Sequence, residues 1–276
     1  MVGRSCSPWR YYQVEIAFGL SMIMTILNDL CTELHIFSST EFGTVELDDS
    51  HCSTSSVFPQ KKNPYALETV NGMAAEAQGW VTHALALFRN EGTCDHATRS
   101  LGGLGNMCKS TAGMLRLTAE VLSGLTVNKE RYEELLSKAW VTTNQLANLL
   151  MMQHGLNYRT AHGVVARLVK NASVRNTKRE AVTVEMLQQA AEEMRAGQIE
   201  MTEEEFKLAL DHTRFIENCT SFGGVAPEQF DRLMAKSQDN LKDHGSWVEA
   251  KIVHLAHAEK DLEAAVADLL KIGGCT

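Results

Sequence analysis

Apolar residues return every three or four positions along three separate stretches of the chain. The first reads Ile16, Leu20, Ile23, Leu27, Leu30, Leu34, Phe37. The second reads Leu67, Val70, Ala74, Ala77, Val81, Ala84, Phe88, and the third Leu104, Cys108, Thr111, Leu115, Thr118, Leu122, Leu125. Alternating steps of four and three keep one seam of a helix against a neighbour over its whole length. Each stretch predicts a helix of roughly 30 Å or more, at 1.5 Å per residue. The small residues of the second seam permit close helix approach. Apolar positions beside the seams favour a bundle built from more than one chain, although periodicity alone fits a monomeric three-helix core equally well.

From about Asn128 the pattern changes to shorter amphipathic segments of three or four turns, such as "NKERYEELLSKAW" and "YRTAHGVVARLVKNA". "TEEEF" at 202–206 predicts a capping box, with Thr202 as the cap and Glu205 reaching back. "SFGGVAPEQF" at 221–230 is a glycine-rich connector, with Pro227 placed to open a final helix. No alternating pattern is long enough to predict a sheet. The expected organisation is all-α: a partial central helical bundle over 1–126, a small helical domain over 127–226 and a C-terminal helix over 227–276.

Composition narrows the class. Only four prolines occur in 276 residues, as a mostly helical chain requires. The net charge of −8 argues against a nucleic-acid partner, whose phosphates it would repel. Seven cysteines, odd in number and never in a C-x-x-C, form neither a disulfide framework nor a zinc site, so a reducing cytoplasm is the simplest location. The run "IAFGLSMIMTIL" at 16–27 has the character of a signal-peptide core, with Arg4 and Arg10 before it. Glu15 at its edge, the lack of a small-residue cleavage site and its short length argue against targeting or a membrane span. His254 and His257 share a helix face, a spacing that reads as solvated surface rather than a metal site. No metal and no cofactor is expected, and the expected partners are a small-molecule ligand and further copies of the chain, not a membrane.

The chemistry concentrates between the first two long segments. Residues 39–64 form an irregular loop ending in "SSVFPQKKNP". Lys61 offers a point positive charge and Asn63 amide donors. Pro64 stands where the next helix begins, and the N-terminal amides of a helix favour anions. Ser55 supplies a hydroxyl that becomes a base once its proton is drawn off. Such a loop suits a dicarboxylate.

"SSVFPQKKNP" resembles the signature loop of the fumarase/aspartase superfamily, which runs GSSxMPxKxNP. "PQKKNP" followed by Glu68, the upstream "FSSTEFGTVELDDSHCST", and the downstream "TNQLANLLMMQHGLNYRTAHGVVARLV" and "ENCTSFGGVAPEQF" are similar to argininosuccinate lyases in particular. The resemblance implies a carbon–nitrogen lyase that releases fumarate by β-elimination from an N-substituted aspartate. It implies Ser55 as general base, with Ser56, Lys61 and Asn63 holding the substrate carboxylates and the charge of the aci-carboxylate. Glu68 falls where a glutamate orients a histidine contributed from elsewhere. The resemblance further implies a homotetramer whose active sites combine residues from three chains.

Several positions depart from that pattern. Thr54 replaces the loop glycine and Phe58 the loop methionine. "NEGTCDHATRS" at 90–100 lacks the tyrosine, glutamine and lysine that contact the far end of argininosuccinate, and "SPWRYYQ" replaces an Asp-Arg-Asp-like run. The Ser-Arg-Asn-like and Thr-His motif regions have no counterpart within the 276 residues; His51 and His96 match neither. These departures predict an isolated chain with little activity, or complementation by an N-terminal half. They also leave open a related lyase for another aminodicarboxylate, or a non-catalytic helical oligomerisation protein, the course taken by the lens crystallins of birds.

Overall fold

The computed structural model describes residues 12–87 and 102–272. The stretch at 90–100, Phe88, Arg4, Arg10, most of "SPWRYYQ" and Cys6, Cys94 and Cys275 lie outside the described residues. Helices make up 76% of the structure, and the only strands among the described residues are four of two residues each. The chain divides into two compact units, Met1–Leu136 and Ser137–Thr276.

In the first unit three long helices pack on one another: α1 (Tyr12–Ser38), α2 (Tyr65–Leu87) and α3 (Gly102–Ser123). On α2 the expected seam is the buried one, with Leu67, Val70, Ala74, Ala77 and Ala84 all inside. On α1 the buried row is rotated from the expected seam. Ala17, Ser21, Met24, Leu27, Cys31 and Leu34 face the core, while Ile16, Ile23 and Leu30 are exposed. On α3 the expected seam is half right: Thr111 and Thr118 are buried as expected, joined by Met107 and Val121, while Cys108, Leu115 and Leu122 face out. Small residues win these positions because they let backbones approach closely. The Ser21 hydroxyl, for example, donates across the α1–α2 contact to the carbonyl of Ala77 at 2.7 Å. Burial pushes the Cys31 thiol above its ordinary pKa, which makes it a packing residue rather than a nucleophile.

At 27 residues α1 is, by length and composition alone, long and apolar enough to cross a membrane, contrary to the short run read from the sequence. Seven of its residues are nevertheless buried in the bundle.

The second unit holds α5 (Thr143–His154), α6 (Tyr158–Val174), α7 (Val184–Glu193), α8 (Glu203–Leu210), α9 (His212–Asn218) and α10 (Pro227–Ile272); α4 (Lys129–Lys138) spans the division. Leu146, Leu150, Leu168, Leu187 and Phe206 form its centre, each wholly buried. Gly155 ends α5 in the left-handed region at φ 68°, where any other residue would be strained. The capping box of α8 is formed as expected: the Thr202 hydroxyl accepts from Glu205 N at 3.2 Å, and the Glu205 carboxylate accepts from Thr202 N at 2.8 Å. Replacing Thr202 by alanine is expected to destabilise this unit by about 1 kcal/mol, measurable by urea denaturation. The Thr202 bonds hold the Glu205 carboxyl below its ordinary pKa. A depressed carboxylate pKa adds stability above its unfolded value, so this contribution fades as pH falls through the acid range.

Candidate functional site

The loop between α1 and α2 is not irregular. Gly43 takes a left-handed conformation (φ 59°) just beyond α1, and its N–H closes the turn onto Ser39 O at 2.7 Å. Strand β1 (Val45–Glu46) then pairs antiparallel with β4 (Thr126–Val127), and Asn128 N extends the ladder to Thr44 O at 2.9 Å. The Arg131 guanidinium locks the same segment, donating to the carbonyls of Phe42 and Glu41 at 2.8 Å each. Asp48 caps a short 3-10 turn, accepting from Ser50 N at 2.9 Å. The base of the loop is thereby fixed to the chain that follows α3.

The signature segment is a hairpin. Strand β2 (Ser53–Thr54) pairs with β3 (Lys62–Asn63), Ser53 opposite Asn63 and Thr54 opposite Lys62. Successive residues of an extended strand point to opposite faces. Lys62 and Asn63 therefore point to opposite faces of β3, and Lys61 stands just before the strand. The contacts of Lys62 agree with that division: its ammonium meets Glu46 at 2.9 Å and Asp49 at 2.5 Å. Those carboxylates, Asp49 first and Glu46 second, raise the Lys62 pKa far above that of a free lysine. Among the described residues the Lys61 side chain has no ion-pair partner. One of the two adjacent lysines is thus used to pin the hairpin, and the other keeps its charge available.

Ser55 sits at the first position beyond the paired neck. Its hydroxyl oxygen accepts hydrogen bonds from the backbone N–H groups of Val57 and Phe58, both at 3.1 Å. Hydrogen bonds to the charged form of a group favour that form. Two amides aimed at one Oγ therefore make it easier to deprotonate. The rest of the tip is exposed, including Ser56, Val57, Phe58 and Lys61.

An open cleft of about 1130 Å³ lies beside the hairpin, lined by Phe58, Gln60 and Lys61 on one side and by Glu41, Asn128 and Lys129 on another. Of the five residues expected from the sequence, only Lys61 lines it. Ser55 and Ser56 lie in the tip, Asn63 is half-buried in β3, and Glu68 stands exposed in the first turn of α2. Helix α2 begins one residue later than expected, with the Pro64 carbonyl accepting its first bond from Glu68 N at 3.1 Å. The sequence reading did not find the Lys62 latch or the Arg131 clamp. The acidic "ELDD" beside a lysine pair was the available signal for the first; the second, spanning ninety residues, left none.

The latch carries a test. Replacing Lys62 by methionine is expected to speed amide hydrogen exchange at residues 53–63 without changing it in α1 or α2. Molar salt should reproduce part of the effect in the parent protein, since exposed ion pairs are screened.

Comparison with known proteins places this loop in a family. Residues 10–79 match the family model described as Lyase, and residues 140–217 match the one described as Argininosuccinate lyase C-terminal. The chain belongs to the fumarase/aspartase superfamily. It is 29% identical over 262 residues to the argininosuccinate lyase of Methanococcus maripaludis strain S2, covering 92% of this chain and 52% of that protein. It is 32% identical over 238 residues to that of Methanosphaera stadtmanae, covering 85% and 51%. The chain thus spans about half the length of the curated relatives it matches. In fold it is similar to an EDDS lyase variant solved with fumarate bound, at a TM-score of 0.83 and 24% identity over 96% of this chain and 53% of that one. It is also similar to a class II fumarase from Schistosoma mansoni, at a TM-score of 0.56 and 18% identity over 75% and 40%.

Proposed function

We propose that this chain supplies the proton-abstracting half of a carbon–nitrogen lyase site, one that eliminates fumarate from an N-substituted aspartate of the argininosuccinate type. The observation that carries the reading is the pair of backbone amides on Ser55 Oγ. An ordinary serine is hardly ever ionised, and fixed donors that solvate its oxyanion raise the fraction present as the alkoxide that can take a proton. Ser55 then takes the proton from the carbon beside a carboxylate. Lys61, with Ser56 and Asn63, holds the carboxylates and the negative charge that spreads onto them. Glu68, exposed at the start of α2, orients a histidine contributed from elsewhere.

Assembly belongs to the same reading. On α1, Phe18 and Ile26 are 57% and 63% exposed, beside the exposed row of Ile16, Ile23 and Leu30. Apolar surface on that scale marks an interface, and a cytoplasmic homotetramer built on the long helices would cover it. A related reading, elimination from another aminodicarboxylate, is favoured by the divergent stretch at 90–100, which lacks the expected contacts for the far end of argininosuccinate. The deciding measurement is fumarate formation by the assembled protein from argininosuccinate and from simpler N-substituted aspartates. Turnover of none of them would sink the proposal.

A further inference from the structure

Helix α10 runs for 46 residues, and from Phe230 to Lys271 every residue is exposed. Yet its sequence is not that of a solvated rod. Met234, Leu241, Val248, Leu255, Leu262 and Leu269 follow one another at intervals of seven, and each is between 44% and 70% exposed. A strict seven-residue period lines residues into one slowly turning stripe, which a second helix of the same period covers by supercoiling around it. Ile252 and Val266 widen the stripe in its second half. A helix gains most of its stability by burying such a face.

We infer that α10 pairs with α10 of a second copy of this chain. Length selects the partner. The stripe from 234 to 269 extends roughly 53 Å at 1.5 Å per residue. The longest other helix among the described residues, α1 with 27 residues, reaches only roughly 40 Å. Charge permits the match: in a parallel, in-register pair the flanking contacts are Ser237 with Lys242, His244 with Glu249, Lys251 with Ala256, Ala258 with Glu263 and Ala265 with Leu270, none of which joins like charges. The one like-charge contact is Glu259 facing its own copy in the second core row. Gln238, Gly245 and Glu259 interrupt the second core row, so the pairing is reversible rather than permanent. This interface lies outside the α1–α3 bundle and does not depend on the lyase reading.

The test uses the full chain in three forms. One carries glutamate at 241, 248, 255 and 262, the second lysine at the same four positions, and the third Trp247→Glu with Val253→Glu, which removes apolar surface from α10 off the stripe. By sedimentation, each stripe variant alone is expected to fall at least twofold in mass from the parent. The off-stripe variant should sediment as the parent does. Mixing the glutamate and lysine chains should restore the parent mass, because opposite charges then meet whatever the orientation of the pair. A monomeric parent, stripe variants of unchanged mass, or a mixture that stays dissociated overturns the inference. All substituted positions are exposed, and circular dichroism confirms that the helical units survive.

Discussion

Replacing Ser55 by alanine in the active assembly is expected to lower kcat for fumarate release at least 100-fold, with KM little changed. General-base catalysis typically contributes 10²–10⁴-fold, about 3–5 kcal/mol of barrier. The hydroxyl meets the substrate's proton rather than its carboxylates, so its loss is felt in the transition state and hardly in binding. Lys61→Met should act on both parameters, since the ammonium grips the ground-state carboxylate and then the extra charge of the aci-carboxylate. If Ser56 holds a carboxylate as proposed, Ser56→Ala should raise KM and spare kcat. Steady-state kinetics on the three variants separates the roles. A Ser55→Ala protein that keeps parental kcat removes Ser55 as the base, and with it the significance of the two amides at 3.1 Å.

The contrast between Lys61 and Lys62 is where sequence and structure part most usefully. Side by side in "PQKKNP" the two ammoniums are chemically identical, and the motif selects the first by resemblance alone. The antiparallel neck supplies the physical reason, because Lys62 lies in the paired strand and reaches Glu46 and Asp49, whereas Lys61 stands before it and has no ion pair among the described residues. A two-residue ladder leaves no pattern in the sequence, so this was not legible there. The helices themselves were legible, and on α2 so was the buried face. On α1 and α3 the seam was misread because weight was given to the largest apolar residues. The inner face holds Ser21, which the seam omitted, and Thr111 and Thr118, which it included, small side chains that satisfy their hydroxyls on nearby carbonyls: Ser21 on Ala77, Thr111 on Met107 at 2.9 Å and Thr118 on Met114 at 2.8 Å. Ile23, Leu30, Leu115 and Leu122 are left outside.

The 276-residue chain by itself is expected to release fumarate from argininosuccinate slowly, and to gain activity when mixed with a fragment carrying the superfamily's Thr-His region. In the proposed reaction Ser55 and Lys61 would account for proton removal and part of the anion grip, and none of the residues expected from the sequence is an acid for the departing amine. His51 sits in the 3-10 turn after Asp48, and Glu68 is an exposed carboxylate. An amine expelled without a proton is a very poor leaving group, and general-acid assistance is typically worth 10²–10⁴-fold. Loss of substrate positioning adds to that deficit. Glu68 supplies the internal control. If its role is to orient a histidine brought by the fragment, Glu68→Gln should leave the slow rate of the isolated chain unchanged and blunt only the rate gained on mixing. Fumarate formation followed with and without the fragment, for the parent, Ser55→Ala and Glu68→Gln, distinguishes the possibilities. Full activity in the isolated chain would mean that its own residues supply the acid. A gain on mixing that survives Ser55→Ala would mean that the base lies elsewhere, and a gain untouched by Glu68→Gln would remove the proposed partner of the histidine.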